Sequence, residues 1–380
     1  MLGIYIHVPF CIRKCFYCAF DSIPKSKWNE NFIEEYINCI CNEIEITSYT
    51  KSVDTIFFGG GTPSILSPKH IDRIISKIDK KFGILPKAEI SMECNPCTVK
   101  GNLLSDFKNA GINRISIGGQ SFDDLLLKKI GRLHSSLELS KTLETACSLN
   151  FDSVGVDLIF GFPNYTKDIL VSDINQVLKY PIEHISLYMF MPEEGTILGD
   201  KCIKGDLEIP NDDLLVEQME YVHGQLVKNG FFHYEISNFA KNNKFCRHNL
   251  KYWNFEEYLG FGSSACSFVN RERFKNISDS FQYCKNIKSN ISIKEYSETL
   301  PLKNSEGEFV MLKLRLARGL SSLEFYKNFG EDFEKVYFKE LQFLIKNGFI
   351  EKKSQDKEDF FYIPYNFFSI QSEIAKYFII

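Results

Sequence analysis

The chain has 380 residues, 44% of them hydrophobic and 25% charged, with a formal net charge of −4. This length suits two domains, or one large α/β barrel with an appendage, and the charge balance lacks the basic excess of a nucleic-acid-binding surface. The 12 cysteines follow no basic stretch leading into an apolar segment, so reduced thiols in a cytoplasmic protein are expected rather than secreted disulfides, and no apolar run approaches the ~20 residues that span a bilayer.

The first strand, Gly3 to Phe10, runs straight into Cys11-x3-Cys15-x2-Cys18. Thiolates are soft ligands, so close-set cysteines on a loop suit iron–sulfur clusters or zinc. Structural zinc takes four protein ligands, and this run stops at three, with Ala19 and Phe20 following. Three cysteines can hold three corners of a [4Fe–4S] cluster and leave the fourth iron open to a small molecule.

Downstream, apolar residues recur at helical spacing from Trp28 to Ile44. Val53 to Phe58 reads as a buried strand ending in Gly59-Gly60-Gly61-Thr62-Pro63. A helix is predicted over Pro68 to Phe82, a strand over Ala88 to Glu93 and a short helix over Leu103 to Ala110. A strand from Asn113 ends in Gly118-Gly119-Gln120-Ser121, and two helical segments fill Asp123 to Leu149. Strand Ser153 to Phe160, helix Asp168 to Leu178 and strand His184 to Phe190 complete the alternation. Such βα repetition with continuous apolar strands predicts a parallel sheet closing toward a barrel. Functional residues then sit at the C-terminal ends of the strands, where the glycine-rich and polar residues of this chain fall.

The predicted domains are a core barrel over 1–270, a linker or crossover over 271–305 and a small α+β domain over 306–380. The core continues through a helix over Asn211 to Lys228, the stretch Tyr234 to Ala240, and His248-Asn249-x-x-Tyr252-Trp253, read as a loop. Lys, Ser and Asn crowd 275–305. Beyond it, helices are predicted over Phe309 to Leu316 and Phe333 to Ile345. A strand pair follows at Phe349 to Lys352 and Phe360 to Ile363, then a closing helix over Ile370 to Ile380.

The cysteine spacing, Tyr17 ahead of the last cysteine and the strand before the loop resemble the signature of the radical S-adenosylmethionine (SAM) superfamily. That resemblance implies a partial (β/α)6 barrel of TIM type with a small winged-helix-like C-terminal domain. It implies a [4Fe–4S] cluster on Cys11, Cys15 and Cys18, whose open iron binds SAM. The GGGTP turn would place Gly60, Gly61 and Thr62 against the methionine amino group. Glu93, Gln120, Arg132 and Asp157 would lie near SAM, with Tyr5 and Tyr17 also in the cofactor site. Carboxylates suit an ammonium and ribose hydroxyls, and a guanidinium suits a carboxylate. The turn lacks the Gly-Lys-Ser/Thr of a phosphate-binding P-loop. The pair Cys94 and Cys97 lacks a second such pair and is expected to be ordinary packing rather than a zinc, redox or auxiliary site.

Nearly the whole chain is similar to oxygen-independent coproporphyrinogen III oxidase-like proteins, and within them to HemW-type haem chaperones. Tyr234-Glu235-Ile236-Ser237-Asn238-Phe239-Ala240 and the His248 motif carry that similarity. It implies haem as a third cofactor, with His248 as a candidate contact. It also implies a haem-accepting protein, such as a membrane-associated respiratory protein, and an electron donor such as flavodoxin or ferredoxin. The alternative is oxidative decarboxylation of coproporphyrinogen III. The oxidase signature has a fourth cysteine two places after the third, and here that residue is Phe20.

Overall fold

The computed structural model describes residues 1–379. The chain forms two compact units, one of Met1–Leu215 with Glu257–Glu298, the other of Val216–Glu256 with Thr299–Ile380. The first is built on six parallel strands: β1 (Leu2–Val8), β2 (Val53–Gly60), β3 (Ile84–Cys94), β4 (Arg114–Gln120), β5 (Ser153–Phe160) and β6 (His184–Met189). They pair in chain order, with Ile4 opposite Ile56, Phe58 opposite Met92, Glu93 opposite Ser116, and Gly118 opposite Asp157. This is the expected partial (β/α)6 barrel.

The connecting helices are α1 (Glu30–Ile46), α2 (Pro68–Phe82), α3 (Leu103–Asn109), α4 (Asp124–Lys129), α5 (Ser136–Ser148) and α6 (Lys167–Val177). Local chemistry fixes their starts. Asn29 caps α1, and Ser67 with His70 forms a capping box on α2, where proline fills the first turn. Ser135 and Glu138 repeat the box on α5. Phe32, Tyr36, Ile40 and Ile44 form one buried face of α1.

Strands alternate their side chains, so Tyr5 and His7, Ser91 and Glu93, Ser116 and Gly118, and Gly155 and Asp157 share the inner face. On the far side of β1, Tyr258–Phe261 adds in parallel, followed antiparallel by Cys266–Val269 and Glu272–Asn276. Segment 271–305 is therefore not a plain linker: it carries Glu272–Asn276, a helix over Ser280–Lys288 and the edge strand Lys294–Thr299. The exposed polar side chains of that strand hid its strand character.

The second unit contains a hairpin, Phe232–Glu235 with Asn238–Ala240, and helices Arg247–Trp253, Leu302–Lys313, Ser322–Phe329, Phe333–Val336 and Phe338–Lys346. A small antiparallel sheet joins Leu320–Ser321, Glu358–Tyr362 and Glu351–Gln355. Its core is aromatic, with Phe309, Phe325, Phe333, Tyr337, Phe361 and Phe378 buried together. The closing helix is a run of short helical pieces, Tyr365–Ile370, Gln371–Ala375 and Lys376–Phe378. Ile380 lies outside the described residues. No helix among those residues is long and apolar enough to cross a membrane.

Candidate functional site

The cysteine loop takes its shape from groups outside it. The Trp28 indole N–H donates to the Cys11 carbonyl at 3.2 Å and the Ile23 carbonyl at 3.1 Å. The Phe16 N–H donates to Ile130 O at 3.0 Å, and Leu198 N–H donates to Phe16 O at 2.7 Å. Arg13 Nη2 donates to the carbonyls of Gly131, at 2.8 Å, and Arg132, at 3.1 Å. Gly131 has φ +83°, and a β-carbon there would come within 3.0 Å of the Phe16 ring. The Tyr17 ring meets Phe162 edge-on at 5.4 Å.

A cavity opens above the strand ends. Its walls include Cys11, Cys15 and Cys18, and also Tyr17, Gly60, Gly61, Thr62, Glu93, Gln120, Arg132 and Asp157. The barrel thus brings together residues that lie far apart in the chain. Cys11 Sγ sits 3.5 Å from Thr62 Oγ1, and Arg132 Nη1 donates to Cys15 Sγ at 3.6 Å. Burial pushes the Cys11 thiol up and the Cys18 thiol up to about 11, so thiolates here require the positive charge of a metal. Among the described residues no three such side chains converge as one metal ion requires; a four-iron cluster spans its ligands more widely.

The turn after β2 is open to the cavity for a steric reason. Gly60 has φ +109°, and a β-carbon on it would lie 2.7 Å from the His7 ring. A β-carbon on Gly61 would lie 2.8 Å from Phe10 O. Only glycine satisfies both limits, and it leaves bare backbone facing the cavity.

Glu93 and Asp157 project from the inner faces of β3 and β5. Burial, then the Asp157 charge, pushes the Glu93 carboxyl up to about 8, although the Gly60 N–H bonds to it. Burial also raises Asp157, against hydrogen bonds from Ser186 and Ser116, the latter at 2.9 Å. Gln120 ends β4 with φ +67°, rare for a side chain with a β-carbon. Its Oε1 is buried without a hydrogen-bond partner, as is Arg132 Nε. Arg132 comes from the turn between α4 and α5.

Unmet polar atoms, two carboxyls and a guanidinium form a cradle for a small zwitterion with hydroxyls. Three thiols at one end of the same cavity suit iron. This donor set fits a [4Fe–4S] cluster together with SAM.

One expected contact lies elsewhere. Tyr5 does not line the cavity: it points inward lower in the barrel, its hydroxyl donates to His7 Nδ1 at 3.2 Å, and its ring stacks near Phe57. His248, in the second unit, sits on helix Arg247–Trp253 rather than a loop. It is fully buried at 0% exposure. Its Nε2 is 2.8 Å from the Tyr252 hydroxyl, and burial holds the ring down at about 3 and hence neutral. Sequence reading missed Tyr188 and Glu193 in the cavity wall. Tyr188 could have been found from its place at the C-terminal end of β6, opposite Ile159. Cys94 lines the cavity, and Cys97 lines a smaller adjoining cleft with Cys15 and Thr62.

Residues 5–177 match the family model for the radical SAM superfamily, and residues 301–355 match that for the HemN C-terminal domain. Curated relatives named heme chaperone HemW match between 70% and 93% of the chain. The Lactococcus lactis protein is 32% identical over 92% of this chain and 91% of its own length. The Bacillus subtilis protein is 32% identical over 92% and 93%, and the Escherichia coli protein 35% identical over 70% and 69%. Among solved structures, coproporphyrinogen III oxidase (HemN) from Escherichia coli superposes with a TM-score of 0.83. The match covers 99% of this chain and 89% of that one at 19% identity, a likeness of fold.

Proposed function

Because the chain belongs to the HemW family of radical SAM proteins, we propose that it binds haem and hands it to an acceptor protein in the cytoplasm, with a [4Fe–4S] cluster and SAM as resident cofactors. The observation that carries the cofactor half is the gathering of three cysteine thiols with Gly60, Gly61, Glu93, Gln120, Arg132 and Asp157 around one cavity. The haem half rests on near full-length similarity to proteins named haem chaperones.

In this reading Cys11, Cys15 and Cys18 hold the cluster, and Tyr17 packs beside it. A cluster held by three thiolates supplies one-electron chemistry and an iron open to SAM. The bare backbone of Gly60 and Gly61, with Thr62, receives the ammonium end of SAM. Arg132 faces its carboxylate. Glu93 and Asp157 offer carboxylates to cation and hydroxyls, and Gln120 Oε1 gains the donor it lacks. An electron-donor protein of the flavodoxin or ferredoxin kind would serve the cluster.

Phe20 stands where the oxidase resemblance calls for a fourth cysteine, and it is 64% exposed at the cavity wall. The deciding experiment uses the full chain, reconstituted anaerobically with iron and sulfide, then given SAM, a reductant and either haemin or coproporphyrinogen III. Stoichiometric haemin binding without porphyrinogen turnover is expected. Formation of protoporphyrinogen defeats the chaperone reading.

A further inference from the structure

The outer side of the cysteine loop carries a charge opposite to that of the chain. The formal net charge is −4, yet Arg13 and Lys14 stand on the loop itself, and Lys128 and Lys129 fill the last turn of α4. The loop is tied down just beyond that turn. The Phe16 N–H donates to Ile130 O at 3.0 Å, and Arg13 Nη2 donates to the Gly131 and Arg132 carbonyls at 2.8 and 3.1 Å. All four cations are exposed, and among the described residues none of them is in an ion pair. The acids nearest along α4 and α5 serve as caps instead. Asp123 Oδ1 accepts from the Leu126 N–H at 2.6 Å, Asp124 Oδ1 from the Ser136 N–H at 2.7 Å, and Glu138 closes the capping box with Ser135.

Apolar side chains stand open among these charges. Ile12 is 43% and Leu133 44% exposed. Both line a narrow cleft between the loop and the turn, and Cys15 and Gly131 are in its wall. Cys15 also lines the cofactor cavity, so this one residue connects the cavity to the outer face. Electron transfer weakens steeply with distance, and a donor seated over Cys15 has a short path to iron. A basic rim around an apolar centre suits a partner with an acidic face: opposite charge steers the encounter, and apolar contact holds it. Contacts of this small, charge-steered kind form and part quickly, as redox partners must.

We propose that this face, with Arg13, Lys14, Lys128 and Lys129 around Ile12 and Leu133, docks an acidic one-electron donor protein over Cys15. This rests on the cluster reading above and names the surface its donor uses. The donor loses one electron and the cluster gains one, with no bond made or broken.

The test uses the full chain, with flavodoxin as the probe. Calorimetric titration of oxidised flavodoxin into the cluster-free chain reads docking alone. Stopped-flow mixing of reduced flavodoxin with the reconstituted chain reads electron delivery. Affinity and rate should both fall as salt rises. Lys128→Glu with Lys129→Glu should lower each about 10-fold at low salt, and Leu133→Asp should weaken binding at every salt concentration. Lys339→Glu with Lys346→Glu, on helix Phe338–Lys346 of the second unit, makes the same change in net charge and should leave both at wild-type values. Dithionite, a small reductant, should reduce wild type and every variant at one rate. Wild-type binding and reduction in the 128 and 129 variant overturn the proposal, as does an equal loss in the 339 and 346 variant or a loss shared with dithionite. A wild-type cluster that dithionite reduces but flavodoxin neither binds nor reduces overturns this surface and leaves the cofactor reading standing. A chain that assembles no cluster overturns both.

Discussion

Glu93 and Asp157 share the cavity, and burial first, then the Asp157 charge, keeps Glu93 protonated where an ordinary carboxyl is ionised: its value is pushed up to about 8 from 4.5. The folded protein therefore holds a proton that the unfolded chain releases. Stability falls wherever the folded state binds more protons as pH rises, here between about 4.5 and about 8. Glu93→Gln should remove this part of the slope. Urea midpoints measured across that window should converge at the acid end and favour the Gln variant at the alkaline end. Parallel curves for the two proteins would contradict the coupling. SAM should bind wild type with proton release, since a cation beside Glu93 favours its ionised form. Calorimetry in buffers of different ionisation enthalpy reads that proton directly.

Gly60→Ala should destabilise the protein and disturb the cavity together. The residue holds φ +109° against the His7 ring, and non-glycine residues in such backbone cost about 1–3 kcal/mol. Denaturant unfolding should show that loss, and cluster reconstitution should fall with it. Gly83→Ala is the control. Gly83 also has positive φ, but nothing lies within 4 Å of its would-be β-carbon, so it should cost backbone strain alone and leave reconstitution unchanged.

Trp28→Phe deletes the N–H that two loop carbonyls share, those of Cys11 and Ile23. Leaving buried acceptors unpaired costs about 1–3 kcal/mol. The reconstituted variant should lose its cluster to a chelator faster than wild type. Equal rates would mean that the loop does not depend on this bond.

Phe333→Ala should weaken the second unit without touching the cavity. Phe333 is buried against Phe325, Tyr337, Phe361 and Phe378. Removing a core phenylalanine costs about 3–5 kcal/mol. Thermal unfolding should shift downward, while SAM affinity at low temperature stays at the wild-type value.

Much of the barrel was legible in the sequence because its strands are buried on both faces and read as unbroken apolar runs. Val53 to Phe58 is one example. The polar residues that interrupt these runs stood out at strand ends, so Glu93 and Gln120 could be singled out. The strand Tyr258–Phe261 was hidden by its brevity and by the glycines at 260 and 262. Helix Arg247–Trp253 has no side-chain cap at Cys246, so nothing local announced its start, and His248 was taken for a loop residue. Tyr5 lay on the expected face of β1 but below the cavity, a depth that strand alternation does not encode.

The anchoring of the cysteine loop has a thermodynamic consequence. In a zinc finger the metal folds the peptide, so affinity and folding free energy are one quantity. Here Trp28, Ile130 and Leu198 grip residues 11–16, and Arg13 reaches out of the loop to Gly131 and Arg132, through protein–protein hydrogen bonds. These bonds are expected to hold the loop independently of the cluster. Loss of iron should leave backbone amides such as that of Phe16 as slow to exchange with deuterium as before.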